Sequence, residues 1–494
     1  MEGPVIYTQA GAVRGERVDA VQRFLGVPYA APPVGLRRFL KPEPVPPWTG
    51  VREATRQGAC APQRIRPFPA LDLAPLIGAG WNRGDDYLNA NVWTPERAAT
   101  GLPVMVFIHG GAFVLGSNLA PVIDGAAFAR SGVVLISINY RLGIDGFLPM
   151  VGAPTNLGLR DQIAALRWVR DNARAFGGDP DNVTVFGESA GAMSIANLLT
   201  SPPAKGLFRR AIIESGHGSM VRSIAIAERL TRKLARMLGV PADADGFRQA
   251  EIERCVATID KAQLPTTRID LRDASGFEPA YGLSRFLPVV GDDVLPRAPL
   301  AALADGVGSE VEVLIGTNAE EMNLYFVPTG IKRWLPGLLA RYALSRVQPN
   351  SREFLKAYGL GKRGRRAGEV YTDTLNDLVF RLPARRFAAA HRGRTHFYEF
   401  GWRSPALNGE LGACHAIEIP FVFNTLASCS GPRGFVGSNP PQGLADSVQA
   451  VWVGFARNGA LRWPEYDPDG RQVYALEDSR ARRDPVMPAE GVIA

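Results

Sequence analysis

A chain of 494 residues with 46% hydrophobic and 21% charged side chains is long enough to bury a large core and shows neither collagen-like nor disordered bias. Its formal charge of +8 reads as arginine scattered among 48 acidic residues, with the densest basic run at 362–366 taken as a solvated face; a nucleic-acid stripe and a membrane patch are both set aside. No apolar run approaches the ~20 residues of a membrane-crossing helix. Residues 1–15 lack a charged start followed by an apolar stretch, so a cytoplasmic protein is expected, a monomer or homodimer. Cys60, Cys255, Cys414 and Cys429 lie far apart with no Cys-x-x-Cys or Cys/His metal spacing, which predicts free thiols and no metal or other cofactor.

Short β-branched strands at 104–108 and 133–138 precede a helix from about residue 160. Its Ile163, Leu166, Val169 and Ala173 recur at three- and four-residue steps, and it stops at Gly177-Gly178 before Asp179-Pro180. A strand at 183–186, a helix at 192–199 and a strand at 211–213 continue the rhythm of a parallel sheet. The chain then turns helical and polar over 224–274, broken at Gly239-Val240-Pro241. The sheet resumes at 311–315, a second helical excursion covers 331–390, a final strand falls at 395–400, and a last amphipathic helix at 445–457 ends at Gly459. No linker divides the chain. The expectation is one α/β domain over 1–494: a central, mostly parallel sheet flanked by helices, with helical cap insertions at about 220–285 and 331–390.

Gly187-Glu188-Ser189-Ala190-Gly191 is a Gly-x-Ser-x-Gly motif, weak by itself in a chain with 53 glycines. Its context makes it specific, because a strand runs into it and a helix out of it, as a nucleophile elbow requires. A serine hydroxyl needs a base, and the base an orienting carboxylate. On such a fold the acid follows a late strand and the histidine precedes the last helix. Of five histidines, His415 has that position; His396 lies within a strand and His391 in an arginine-rich stretch before it. After the strand at 311–315, Glu320 and Glu321 are both available as the acid. Developing oxyanion charge needs preorganised amides, and His109-Gly110-Gly111-Ala112-Phe113 follows a strand; Gly110, Gly111 and Ala190 are the predicted oxyanion donors, with His109 structural. Phe113, Leu324, Tyr325, Phe326 and Phe380 are candidates to line an apolar pocket.

These motifs, with Gly26-Val27-Pro28-Tyr29-Ala30, Arg38-Phe39, Asn91-Val92-Trp93-Thr94-Pro95, Asn139-Tyr140-Arg141-Leu142-Gly143, Asn156-Leu157-Gly158-Leu159-Arg160-Asp161-Gln162 and Phe176-Gly177-Gly178-Asp179-Pro180, resemble the type B carboxylesterases over nearly the whole chain. The resemblance implies an α/β-hydrolase fold and a Ser-Glu-His triad of Ser189, Glu321 and His415, leaving Glu320 solvated. It further implies hydrolysis of small to medium esters, with aryl or short alkyl groups, through an acyl-enzyme. It marks Ser215 either as a hydrogen-bonding neighbour of the triad or as a structural residue, and Glu188 as a buried structural partner, not a base. Three positions depart from the family pattern. Tyr87 stands where a cysteine partner for Cys60 is usual, Met322 replaces the glycine after the glutamate, and Ala112 replaces the third glycine of the oxyanion loop. The rival readings are an aryl-carbamate or amide hydrolase using the same triad, and a non-catalytic cholinesterase-like binding protein.

Overall fold

Strands buried on both faces read as near-continuous apolar runs, and the central strands carry such runs. In the computed structural model, which describes residues 3–66, 68, 70–96 and 99–493, eleven strands form one sheet. In chain order they are β1 (Glu16–Val18), β2 (Val21–Pro28), β3 (Asn89–Pro95), β4 (Leu102–Ile108), β5 (Val134–Ile138), β6 (Gly178–Glu188), β7 (Arg210–Glu214), β8 (Glu312–Asn318), β9 (Thr395–Phe400), β10 (Gln472–Ala475) and β11 (Arg480–Arg483). Their spatial order is β11-β10-β9-β8-β7-β6-β4-β5-β3-β2-β1. From β5 to β10 the pairing is parallel, and both edges are antiparallel.

Side-chain alternation divides the core into two layers. Val104, Val106, Ile108, Val185, Ile213 and Ile315 belong to one buried cluster. Their strand neighbours Met105, Phe107, Phe186, Ile212 and Leu314 belong to the other. Helices α1 (Leu157–Asn172) and α2 (Ala190–Leu198) bury apolar faces in the first layer. The first layer also takes α3 (Ile224–Leu238) and α4 (Ile252–Gln263), which lie between β7 and β8, together with the helices between β8 and β9. Those last are α5 (Asn323–Phe326), α6 (Ile331–Trp334), α7 (Gly337–Ser345), α8 (Ser351–Ala357), α9 (Ala367–Asn376) and α10 (Leu382–Ala390). Helix α11 (Gln442–Asn458) covers the second layer through Val448, Trp452 and Phe455.

The strand at 395–400 is not the last, as the sequence reading has it: β10 and β11 extend the sheet beyond it. Arg480–Arg483 is exposed throughout and carries three arginines, so no apolar alternation announces a strand; pairing with β10 makes it one. The four cysteines are buried free thiols, with the Cys60 sulfur accepting the Asn82 N–H at 3.2 Å. No helix among the described residues is long and apolar enough to cross a membrane.

Candidate active site

Ser189 sits between β6 and α2 with φ 54° and ψ −121°, a strained conformation for a side chain bearing Cβ. The flanking glycines make the turn sterically possible. A Cβ on Gly187 would lie 2.4 Å from the Ile108 carbonyl oxygen, and one on Gly191 only 1.9 Å from the same atom. The Ser189 N–H donates to the Glu214 carbonyl at 2.9 Å, tying the elbow to β7.

His415 lies in the loop after β9, its N–H donating to the Glu321 carbonyl at 3.1 Å. Its Nδ1 meets Glu321 Oε2 at 2.6 Å. Glu321 is fully buried at the end of the turn after β8, and its Oε1 accepts the Asn318 N–H and the Ser215 hydroxyl, each at 2.7 Å. Three contacts, from Asn318, Ser215 and His415, therefore hold this carboxylate in place. Ser215 is thus a direct neighbour of Glu321. Its Oγ also reaches Glu418 Oε1 at 3.5 Å, while Asn318 donates to the other Glu418 oxygen at 2.5 Å. Burial, with Glu188 and Glu321 nearby, pushes the Glu418 carboxyl up to about 8.

Glu320 is not merely solvated. It pairs with Arg403 and accepts the Ala413 N–H at 3.0 Å, holding the histidine loop from outside. Glu188 is buried, as the resemblance implies, and its Oε1 lies 2.9 Å from His415 Nε2. Neither atom completes a hydrogen bond, so the contact is electrostatic and Nε2 stays available to another partner. Burial opposes protonation of His415, but the Glu188 and Glu321 carboxylates outweigh it and hold the imidazole well above the usual histidine range.

The loop 109–113 lies against the serine: a Cβ on Gly110 would fall 3.2 Å from Ser189 Cβ. Gly111, Ala112 and Phe113 all have left-handed φ. Among the described residues the N–H groups of Gly110, Gly111 and Ala190 donate to no protein acceptor, and neither does that of Ala112, a fourth amide beyond the three expected donors. His109 is structural: its Nδ1 is 2.8 Å from the Gly110 carbonyl, its ring stacks on Tyr140 at 4.4 Å, and burial lowers it to about 4.

Ser189, His415 and Glu188 line a cavity of about 210 Å³ whose other walls are mostly apolar. Leu324 and Tyr325 face it as expected, while Phe113, Phe326 and Phe380 do not line it. The positive φ of Phe113 turns its ring onto Phe147 at 4.6 Å. Phe326, one position beyond Tyr325 on the single turn of α5, points to Tyr371 at 5.4 Å. Phe380 packs against the far side of the His415 ring at 4.6 Å. A further part of the wall comes from Phe68, Leu73, Leu76 and Ile77, which belong to no motif that could have announced them. A larger groove of about 590 Å³ runs along α1 beside Trp168 and Lys41 and contains none of these groups.

A serine in a strained strand-to-helix turn, a buried histidine–glutamate pair and free amides beside it, on a mostly parallel sheet, define the serine hydrolases of the α/β-hydrolase fold. Comparison with known proteins is specific. The carboxylesterase family profile matches residues 2–486. The chain is 36% identical to the para-nitrobenzyl esterase of Bacillus subtilis, covering 97% of this chain and 95% of that one. It is 33% identical to the phenmedipham hydrolase of Pseudarthrobacter oxydans (97% and 96%) and 31% identical to the cholinesterase of Mus musculus (97% and 84%). A solved PNB esterase superposes with TM-score 0.84 at 34% identity over 98% of both chains. A Geobacillus stearothermophilus carboxylesterase superposes with TM-score 0.81 at 34% identity, over 97% of this chain and 98% of that one. The chain belongs to the carboxylesterase family, and it is a serine carboxylesterase acting on small-molecule esters.

Proposed function

We propose that Ser189 is the nucleophile, His415 its general base and Glu321 the carboxylate that orients the base. Ser189 Oγ attacks the ester carbonyl as its proton passes to His415 Nε2. The oxyanion is received by the Ala190 amide and by those of Gly110 and Gly111, with Ala112 N–H a further donor. His415 returns the proton to the departing alcohol, and water, deprotonated by His415, then hydrolyses the acyl-enzyme. The observation that carries this reading is the 2.6 Å contact of His415 Nδ1 with a Glu321 already held by two donors, beside unpartnered amides at the serine.

The apolar 210 Å³ cavity supports aryl or short alkyl esters as substrates. The wider reading is a single catalytic domain with cap insertions at about 220–285 and 331–390, cytoplasmic, and monomeric or dimeric in solution. Nitrophenyl esters of rising acyl length, with aryl carbamates and phenmedipham beside them, test it on the native enzyme and on Ser189→Ala. The variant should lose at least about a thousandfold in kcat, and an organophosphate should label Ser189 in the native protein alone. Undiminished turnover by Ser189→Ala would remove the serine from the mechanism. Faster cleavage of carbamates than of esters would redirect the substrate assignment.

A further inference from the structure

Residues 331–366 hold ten lysines and arginines and a single acid, Glu353, a net of +9. Since the whole chain is +8, everything outside this segment is net −1. The positive charge is therefore concentrated, not scattered as composition suggests. Arg365 and Arg366 pair with Asp373 and Glu369. Among the described residues Arg341, Arg346, Arg352, Lys356, Lys362 and Arg363 have no carboxylate partner.

The same segment exposes four large apolar side chains. Trp334 is 71% exposed, Leu338 79%, Leu339 53% and Tyr342 65%. Helix α7 is anchored from its other side by buried Ala340 and Leu344, which leaves Leu338 and Tyr342, one turn apart, facing outward. The basic turn abuts this helix: a Cβ on Gly337 would lie 3.8 Å from both Leu360 and Ala367. The patch also adjoins the catalytic cavity, since Lys332 Nζ donates to Asn323 Oδ1 at 2.7 Å, and Leu324 and Tyr325 follow directly in its wall.

We propose that this face docks on an anionic lipid surface. Tryptophan, tyrosine and leucine among unpaired basic side chains match the apolar boundary and negative headgroups of such a surface. A two-fold dimer through the face would bring +9 against +9. A nucleic acid would find no use for Leu338 and Leu339, which neither stack on bases nor bind phosphate. Docking through this face does not depend on the role of Ser189.

The test is flotation of the native full-length protein with vesicles of phosphatidylcholine containing phosphatidylglycerol, against vesicles of phosphatidylcholine alone. Binding should require the anionic lipid, weaken with added salt, and fall at least about tenfold in Arg341→Glu/Lys362→Glu and in Leu338→Ser/Tyr342→Ser. Soluble nitrophenyl ester hydrolysis should be unchanged in both variants, which shows that they fold. Absence of binding to the anionic vesicles, or equal binding by the variants, would overturn the proposal. So would a concentration-dependent dimer abolished by Leu338→Ser, which gives the face to a second copy. Binding to a DNA oligonucleotide as tight as to the vesicles and indifferent to Leu338→Ser would overturn it equally.

Discussion

At the scale of single residues, His415 stands between two carboxylates with different duties. Glu321 fixes the ring through Nδ1, and Glu188 places negative charge 2.9 Å from Nε2, the atom proposed to accept the serine proton. The groups facing the imidazole are Glu188, Tyr325 and Glu321, and together they favour its protonated form, in which it cannot act as a base. The acid limb of kcat/KM should therefore be governed by a pKa above 6.5, activity rising as pH increases through it. Glu188→Gln removes one stabilising charge and should move that limb to lower pH, with the enzyme still active above it; a pH profile with an unmoved limb would mean that the Glu188 charge is not felt at Nε2. Ser215→Ala should act differently. It removes a 2.7 Å hydrogen bond to the buried Glu321 carboxylate, an interaction worth about 1.5–3 kcal/mol, so kcat should fall about tenfold or more with KM little changed. Steady-state kinetics that show KM rising instead would place Ser215 in substrate binding. The proposed triad was legible because the residue types and order that such chemistry needs are dictated by it. The Glu188 contact was not, since no spacing rule says which way the side chain before the nucleophile turns.

At the scale of elements, legibility followed burial. The parallel strands are apolar runs covered on both faces, so β4 to β9 stand within a few residues of their predicted places. The antiparallel edges are short or polar, as with Gln22 and Arg23 in β2 and the arginines of β11, and exist because a neighbour pairs with them. The part of the pocket wall made by Phe68, Leu73, Leu76 and Ile77 escaped for a related reason, since only the tertiary fold carries these residues to Ser189. Where two elements meet most closely, at the elbow, the sequence constraint is steric. Gly191→Ala would set a methyl 1.9 Å from the Ile108 carbonyl, so α2 and the tip of β4 must separate. That should cost about 1–3 kcal/mol of stability and displace the Ala190 amide, lowering kcat more than the stability loss alone accounts for. Urea midpoints and kcat measured on the same preparation check this, and a fully active, fully stable variant would show that the elbow has slack.

At the scale of the whole molecule, the segment after β5 ties distant parts of the chain together behind the proposed oxyanion loop. Tyr29 donates to the Asn139 carbonyl at 2.6 Å, and the Tyr140 hydroxyl donates to the His109 carbonyl at 2.8 Å. Arg141 binds Asp161 of α1 through Nε at 2.8 Å and a terminal nitrogen at 2.6 Å, and reaches the Leu40 carbonyl at 2.7 Å. Both partners of this ion pair are almost wholly buried. Its strength lies less in net attraction, much of which desolvation cancels, than in what a broken pair leaves behind, an uncompensated guanidinium inside the core. Asp161→Asn should therefore lose about 3–5 kcal/mol of unfolding free energy, read from urea denaturation, whereas Asp161→Leu combined with Arg141→Met should recover most of it. Activity should separate the two further. The single variant disturbs Tyr140, and with it the His109 carbonyl at the head of the oxyanion loop, so kcat should drop even below the denaturation transition. A single variant within about 1 kcal/mol of the native protein would mean that water or a shifted side chain satisfies Arg141, and that the β5 segment does not position the loop through this pair.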